Sequence, residues 1–135
     1  MALESSTTIL GLVATNPPSG DPLAQADDHL RLIKAVLQSE FTPYTHAAAG
    51  SIPLPGGLII KWGTTTNSSG VAAVTTTFGA AFPTACYMVL LTPGANTALM
   101  GTVESTSTTG FTSSIWSDAG ARAAGYGAFY LAIGK

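Results

Sequence analysis

Apolar residues recur on two different periods along this chain, and the change of period divides it. Between residues 21 and 40 they fall at Leu23, Ala26, Leu30, Ile33 and Leu37, a spacing of 3, 4, 3, 4. That is one seam of an α-helix over two heptads, and Leu32 and Val36 widen the stripe. Asp21 is a good N-cap and Pro22 suits the first helical position, where its missing N–H is not needed. Asp27 and Asp28 lie early and Lys34 lies late, as the helix dipole favours. Asp27 and Arg31 stand one turn apart, where an ion pair supports a helix. The pattern stops near Phe41-Thr42-Pro43, because proline restricts the residue before it. Two heptads fit a short coiled coil and an amphipathic helix packed on its own domain equally well.

From residue 57 the period shortens to two. Residues 58–62, 71–78, 85–92, 97–104, 109–116 and 126–133 read as strands. Alternation is clearest where Phe111, Ser113 and Ile115 oppose Thr112, Ser114 and Trp116, and where Phe129, Leu131 and Ile133 oppose Tyr130. Residues 85–92 are apolar on both faces, so this strand is expected to be central or sandwiched between layers. Clusters such as Asn67-Ser68-Ser69-Gly70 and Pro93-Gly94-Ala95-Asn96 separate the strands. The reading is a mainly β protein: an N-terminal extended arm and one α-helix (1–41), a Pro/Gly linker (42–56), then a small antiparallel β-sandwich knob (57–135). Within the arm, residues 7–10 and 12–13 offer a short strand before Asn16-Pro17-Pro18-Ser19-Gly20 ends it.

Composition changes this picture in one respect. Only 9% of the 135 residues are charged, against about 25% in an ordinary domain. Nineteen Thr and twelve Ser supply hydroxyls, and mean hydropathy is +0.36. Seven of the twelve charges lie in residues 1–46, so the β region has five for 89 residues. Five cations and a net charge of −2 exclude a nucleic-acid partner, which needs a dense cationic patch. No apolar run approaches the roughly 18–20 residues of a membrane span, so no membrane insertion is expected. The opening Met-Ala-Leu-Glu does not read as a secretory leader. A surface so poor in ions tends to associate, which places much of it in subunit contacts.

The segment DPLAQADDHLRLIKAVLQSEF resembles the N-terminal portion of bacteriophage tail-fibre proteins, with its Asp-Asp-His-hydrophobic-Arg-Leu-Ile-Lys helix followed by Phe. The stretches PGGLIIKWG, FGAAFPTACYMVLLTP, TGF and FYLAIGK resemble the C-terminal β-module of tail fibres and tail-tip receptor-binding proteins. Tyr130 stands where such modules often have Trp, and no long repetitive shaft separates the two parts. The resemblance implies a short fibre in a phage tail, exposed to the extracellular medium. It implies a homotrimer, other tail or baseplate proteins as partners, and a host-surface glycan or protein as the target. The helix residues Leu23, Ala26, Asp28, Leu30, Arg31, Ile33, Lys34 and Leu37 become the candidates for attachment and oligomerisation.

Catalytic and metal signatures are missing. There is no phosphate loop and no Gly-x-Ser-x-Gly elbow. His29 and His46 are 17 residues apart and Cys86 is the one cysteine, so no metal or cofactor is expected and Cys86 reads as a packing thiol. Asp27 and Asp28 point about 100° apart on a helix and do not face one group. Glu104 and Asp118 lie on different segments, which makes glycan hydrolysis a distant alternative and a non-enzyme the expectation. The group that suits surface contact is Trp116, Asp118, Arg122 and Tyr126: rings to stack on apolar surfaces, charges for directional hydrogen bonds. The default place for such strand-ending aromatics is the core or a subunit interface, with Asp118 capping a turn. A structural tail-tip component without a receptor is the main alternative to a host-contacting fibre.

Overall fold

The computed structural model describes residues 5–16, 19–20, 22–41 and 47–135. The expectations for Asp21 and His46 lie outside the described residues. The helix α1 runs Leu23–Phe41, with the Pro22 carbonyl accepting the Gln25 N–H at 2.9 Å, so Pro22 precedes the first turn instead of starting it. Asp27 and Arg31 pair at 2.7 Å on its exposed side. The side that the chain itself buries carries His29 and Val36, one heptad apart. Leu30 and Leu37 of the apolar seam are exposed, and Ala26 and Ile33 are half-buried. Among the described residues Leu30 and Leu37 thus stay open to solvent, and the Leu23 side chain lies outside those residues.

The apolar residues of the arm form a 3-10 turn, Ile9–Gly11, and not a strand. The Ile9 N–H donates to the Glu40 carboxylate at 3.2 Å, which ties this turn to the last turns of α1. The Gly11 and Leu12 N–H groups close this turn on the Thr8 and Ile9 carbonyls, which meets the backbone need locally.

Seven strands follow: β1 (Gly50–Pro53), β2 (Ile59–Thr64), β3 (Val74–Thr77), β4 (Cys86–Pro93), β5 (Leu99–Thr106), β6 (Gly110–Ser117) and β7 (Ala128–Gly134). They form two sheets, ordered β1-β2-β7-β4 and β3-β6-β5, with every pairing antiparallel. β1 falls inside the segment read as a linker. Its four residues pair with β2, Ile52 opposite Ile60. Proline at its end is tolerated because β1 is an edge strand.

The core lies between the sheets and is largely aromatic. Phe78, Phe82, Phe111 and Tyr130 interlock, with ring centroids 5.1 Å apart for Phe78–Phe82 and 5.2 Å for Phe111–Tyr130, both edge-on. Val89, Leu91 and Val103 pack against them. Close approach fixes several glycines. A Cβ at Gly63 would meet the Tyr130 ring at 2.9–3.0 Å, and one at Gly134 would strike the Ala85 carbonyl and the Phe82 ring.

β4 departs from expectation. It is an edge of the four-stranded sheet, and only Cys86, Val89, Leu91 and Pro93 are partly covered. Met88 and Leu90 are 42% and 52% exposed. Both faces are apolar because most of the outer face of this sheet is apolar. The register sets Ile52, Ile60, Ile133 and Met88 in one row, and Trp62, Leu131 and Leu90 in the next. Phe129, 61% exposed, stands in a third row between Thr64 and Thr92.

Candidate functional site

The outer face of the three-stranded sheet is built differently. The β5–β6 register sets Met100 opposite Trp116, Thr102 opposite Ser114 and Ser105 opposite Thr112. Their neighbours Phe111, Ser113 and Ile115 point the other way, into the sandwich, and are buried. A bulge between Val103 and Ser105 leaves Glu104 unpaired in the ladder. A bulge re-aims side chains, and here the carboxylate reaches across to β6.

After Ser117 the chain turns back on itself. The Gly120 N–H donates to the Ser117 carbonyl at 3.0 Å, and Gly120 takes a φ of 74°, which a side chain would resist. Residues 121–123 then run antiparallel beside β6, with the Ser117 N–H on the Ala121 carbonyl and the Ala123 N–H on the Ile115 carbonyl. This sets Arg122 next to Trp116.

From there the Arg122 side chain crosses the sheet. Its guanidinium carbon is 4.8 Å from the Trp116 ring centroid, a cation–π contact. One nitrogen donates to the Ser114 hydroxyl and the other to Glu104 Oε1 at 2.8 Å. Ser114 in turn donates to Glu104. The Trp116 indole N–H donates to Thr102 Oγ1 at 2.9 Å. The Ser114 hydroxyl, and then the Arg122 guanidinium, hold the Glu104 carboxyl below the usual carboxylate range. Every polar group of this plate has a partner, so its geometry is preset.

A cleft of about 400 Å³ opens beside the plate, lined by Ala98, Leu99, Met100, Trp116, Asp118 and Gly120. Trp116 forms one of its walls. Asp118 is exposed at its rim and makes no hydrogen bond among the described residues, so it does not cap the turn through its side chain. Trp116 is half-buried on the outer face and is not a core residue. Three of the four candidates thus meet: Trp116 and Asp118 share the cleft, and Arg122 lies on Trp116. Tyr126 stands apart. Its main chain is bridged to Ser68, which donates to the Tyr126 carbonyl at 2.8 Å and accepts its N–H at 3.1 Å. In the sequence Glu104 stands only beside Asp118 as a carboxylate on a different segment, and nothing local marks Ser114 or Thr102. Pairing Glu104 with Arg122, 18 positions away, becomes visible only once β5 and β6 are in register.

Elsewhere, Asp28, Arg31 and Lys34 are exposed on α1, with Arg31 engaged by Asp27. Cys86 is half-buried against the core, and burial pushes its thiol up. Among the described residues no three His, Cys, Asp or Glu side chains gather to hold a metal ion. No helix of the described residues is long and apolar enough to cross a membrane.

Residues 53–135 match the family described as tail fiber protein gp53-like, C-terminal. Among solved structures, the chain is similar to the P. aeruginosa R2 pyocin fiber (C-terminal residues 323–691), with 21% identity, 91% of this chain covered and a TM-score of 0.61. It is also similar to the P. aeruginosa R1 pyocin fiber (C-terminal residues 323–701), with 26% identity, 91% coverage and a TM-score of 0.56. This chain spans 38% and 40% of those two fragments. An N-truncated R1-type pyocin tail fiber matches at 25% identity and a TM-score of 0.53, with 87% of this chain and 99% of that one covered. No curated protein matches the chain by sequence.

Proposed function

The chain belongs to the gp53-like tail-fibre C-terminal family, and from that premise we propose that it is a homotrimeric fibre tip that contacts the host surface. The observation that carries this reading is the contrast between the two outer faces. The four-stranded sheet leaves Phe129, Leu90, Met88 and Leu131 exposed in adjoining rows. An apolar patch of that extent marks a protein contact. Identical chains are its natural partner, because the same low-charge face is then buried three times. The exposed seam of α1, Leu30 and Leu37, is a second surface for neighbouring copies or for a tail or baseplate protein, with Asp28 and Lys34 at its flank.

With the apolar faces enclosed, the outer faces of the three-stranded sheets point away from the assembly into the medium. There the Trp116 wall offers a flat apolar surface, and Asp118 offers an acceptor to a hydroxyl-rich target such as a host-surface glycan or protein loop. The plate of Arg122, Glu104 and Ser114 keeps the indole in place, which limits the ordering cost of binding. The role is assembly and binding without turnover.

Two measurements test the reading. Light scattering of the purified chain at micromolar concentration should give the mass of three chains; a stable monomer would overturn the assembly. Virions carrying Trp116→Ala should assemble normally and adsorb poorly. Unchanged adsorption would leave the protein a structural tail component.

A further inference from the structure

A second cavity, of about 300 Å³, lies between β1, β2 and the 79–80 loop, and shares no lining residue with the Trp116 cleft. Lys61 sits in its wall. It is one of five cations in the chain, yet it is only 5% exposed and faces the core side of β2. Its Nζ donates to the Ala80 carbonyl at 2.9 Å and lies 4.8 Å from the Phe82 ring centroid. Among the described residues those two neutral groups are its only partners. The carboxylates of the described residues are engaged or placed elsewhere: Asp27 on Arg31, Glu40 on the Ile9 N–H, Glu104 on Arg122, Asp28 on the open side of α1, Asp118 at the other cleft, and the Lys135 terminal group on the Thr84 and Ala85 N–H groups.

A buried cation without a counter-charge is costly, and lysines are almost never buried unless paired. An ammonium has three donors, of which Ala80 takes one. Ser51 and Tyr130 line the same cavity, and no described residue hydrogen-bonds their hydroxyls. A space of about 300 Å³ is roomy enough for an oxyanion with its substituent. We infer that this cavity is an oxyanion site, in which Lys61 holds a carboxylate or phosphate group and the Ser51 and Tyr130 hydroxyls supply further donors. Burial alone pushes the Lys61 ammonium below the usual lysine range, the direction that a bound anion reverses. Because the two cavities are separate, this site stands even if the Trp116 cleft binds nothing.

The same chemistry has two sources, a free phosphate ion or the acidic sugar of a surface polymer. Calorimetric titration of the full-length chain with inorganic phosphate, glucuronate and glucose separates them. The wild type is expected to bind phosphate, glucuronate or both saturably, more weakly as salt rises, and to ignore neutral glucose. Lys61→Gln keeps a donor toward Ala80 and loses the charge; it should bind at least about tenfold more weakly, the loss expected for one charge-assisted hydrogen bond. Should that variant not fold, Ser51→Ala decides, with a loss of about threefold to tenfold for a neutral bond. Phosphate binding alone identifies a mineral ion or phosphoester, and glucuronate binding admits an acidic saccharide; either supports the site. No saturable anion binding, equal binding of glucose, or wild-type binding in folded Lys61→Gln, or in Ser51→Ala where Lys61→Gln does not fold, would overturn it.

Discussion

The outer face of the four-stranded sheet carries isoleucine, leucine, methionine, phenylalanine and tryptophan, and the outer face of the three-stranded sheet carries mostly threonine, serine, an ion pair and one tryptophan. Both faces cover the same aromatic core, so the core does not explain the difference. What differs is the neighbour each is built to meet. An apolar face gains by losing water against a similar surface. A hydroxyl face with its few ions already paired gains little by burial and stays soluble without many charges. The scarcity of charge in the β region therefore has two parts: one sheet has no use for ions, and the other replaces them with hydroxyls.

The largest effect should come from putting a charge where the apolar rows meet. Leu131→Asp would bury an unpaired carboxylate in each subunit, at a cost of about 3–5 kcal/mol apiece. The proposed trimer should fall apart in analytical ultracentrifugation while the circular dichroism of the β module persists. A core change removes the contrast by weakening both faces. Phe111→Ala should lower stability by about 3–5 kcal/mol in denaturant melts, and assembly and surface binding should fail together. On the other sheet, Arg122→Ala removes the cover of Trp116 and the partner of Glu104. It should cost about 1–3 kcal/mol and weaken the proposed target binding, with the mass of the assembly unchanged in light scattering.

The smallest effect is a pH dependence confined to the hydroxyl face. The folded-state pKa of Glu104 is depressed, by Ser114 first and Arg122 second. Its contribution is then fully present above the free carboxylate value of about 4.3 and is lost as pH falls through the lower folded value. Melting temperature followed into acid should drop less in Glu104→Gln than in the wild type. An equal drop would remove Glu104 from the account. The apolar face has no titrating group in its three rows and should show no such dependence.

Local pattern carried most of the fold. The helix, the Asp27–Arg31 pair and the strands whose hydroxyl and apolar residues alternate are all readable within a few residues, because each depends on neighbours in the chain. The misread parts depend on what lies across the sheet. β4 looks like a central strand because both its faces are apolar, and only the pairing order reveals that one of them is open. β1 is hidden by Gly50 and Pro53, which read as linker until Ile52 is set opposite Ile60. At the candidate site, Trp116 with Asp118 was legible as a loop-tip cluster. The plate that holds the indole was not, since Glu104 comes from another strand, at a bulge that no local signal announces. Tyr126 was grouped with it by proximity in sequence alone.

The order of strands has a consequence in time. β7 is the last of the seven strands in the chain, yet it lies between β2 and β4 and carries Tyr130 and Ala132 into the core. Until residues 128–134 have been synthesised, β2 and β4 have no common partner and the aromatic cluster is incomplete. Pairing Ile59 with Gly134 then closes most of the β region in one long-range step, the kind of contact that slows folding. During that interval both apolar faces of β4 are uncovered on the nascent chain, which makes arrival of β7 the event that separates a folded β region from an aggregate.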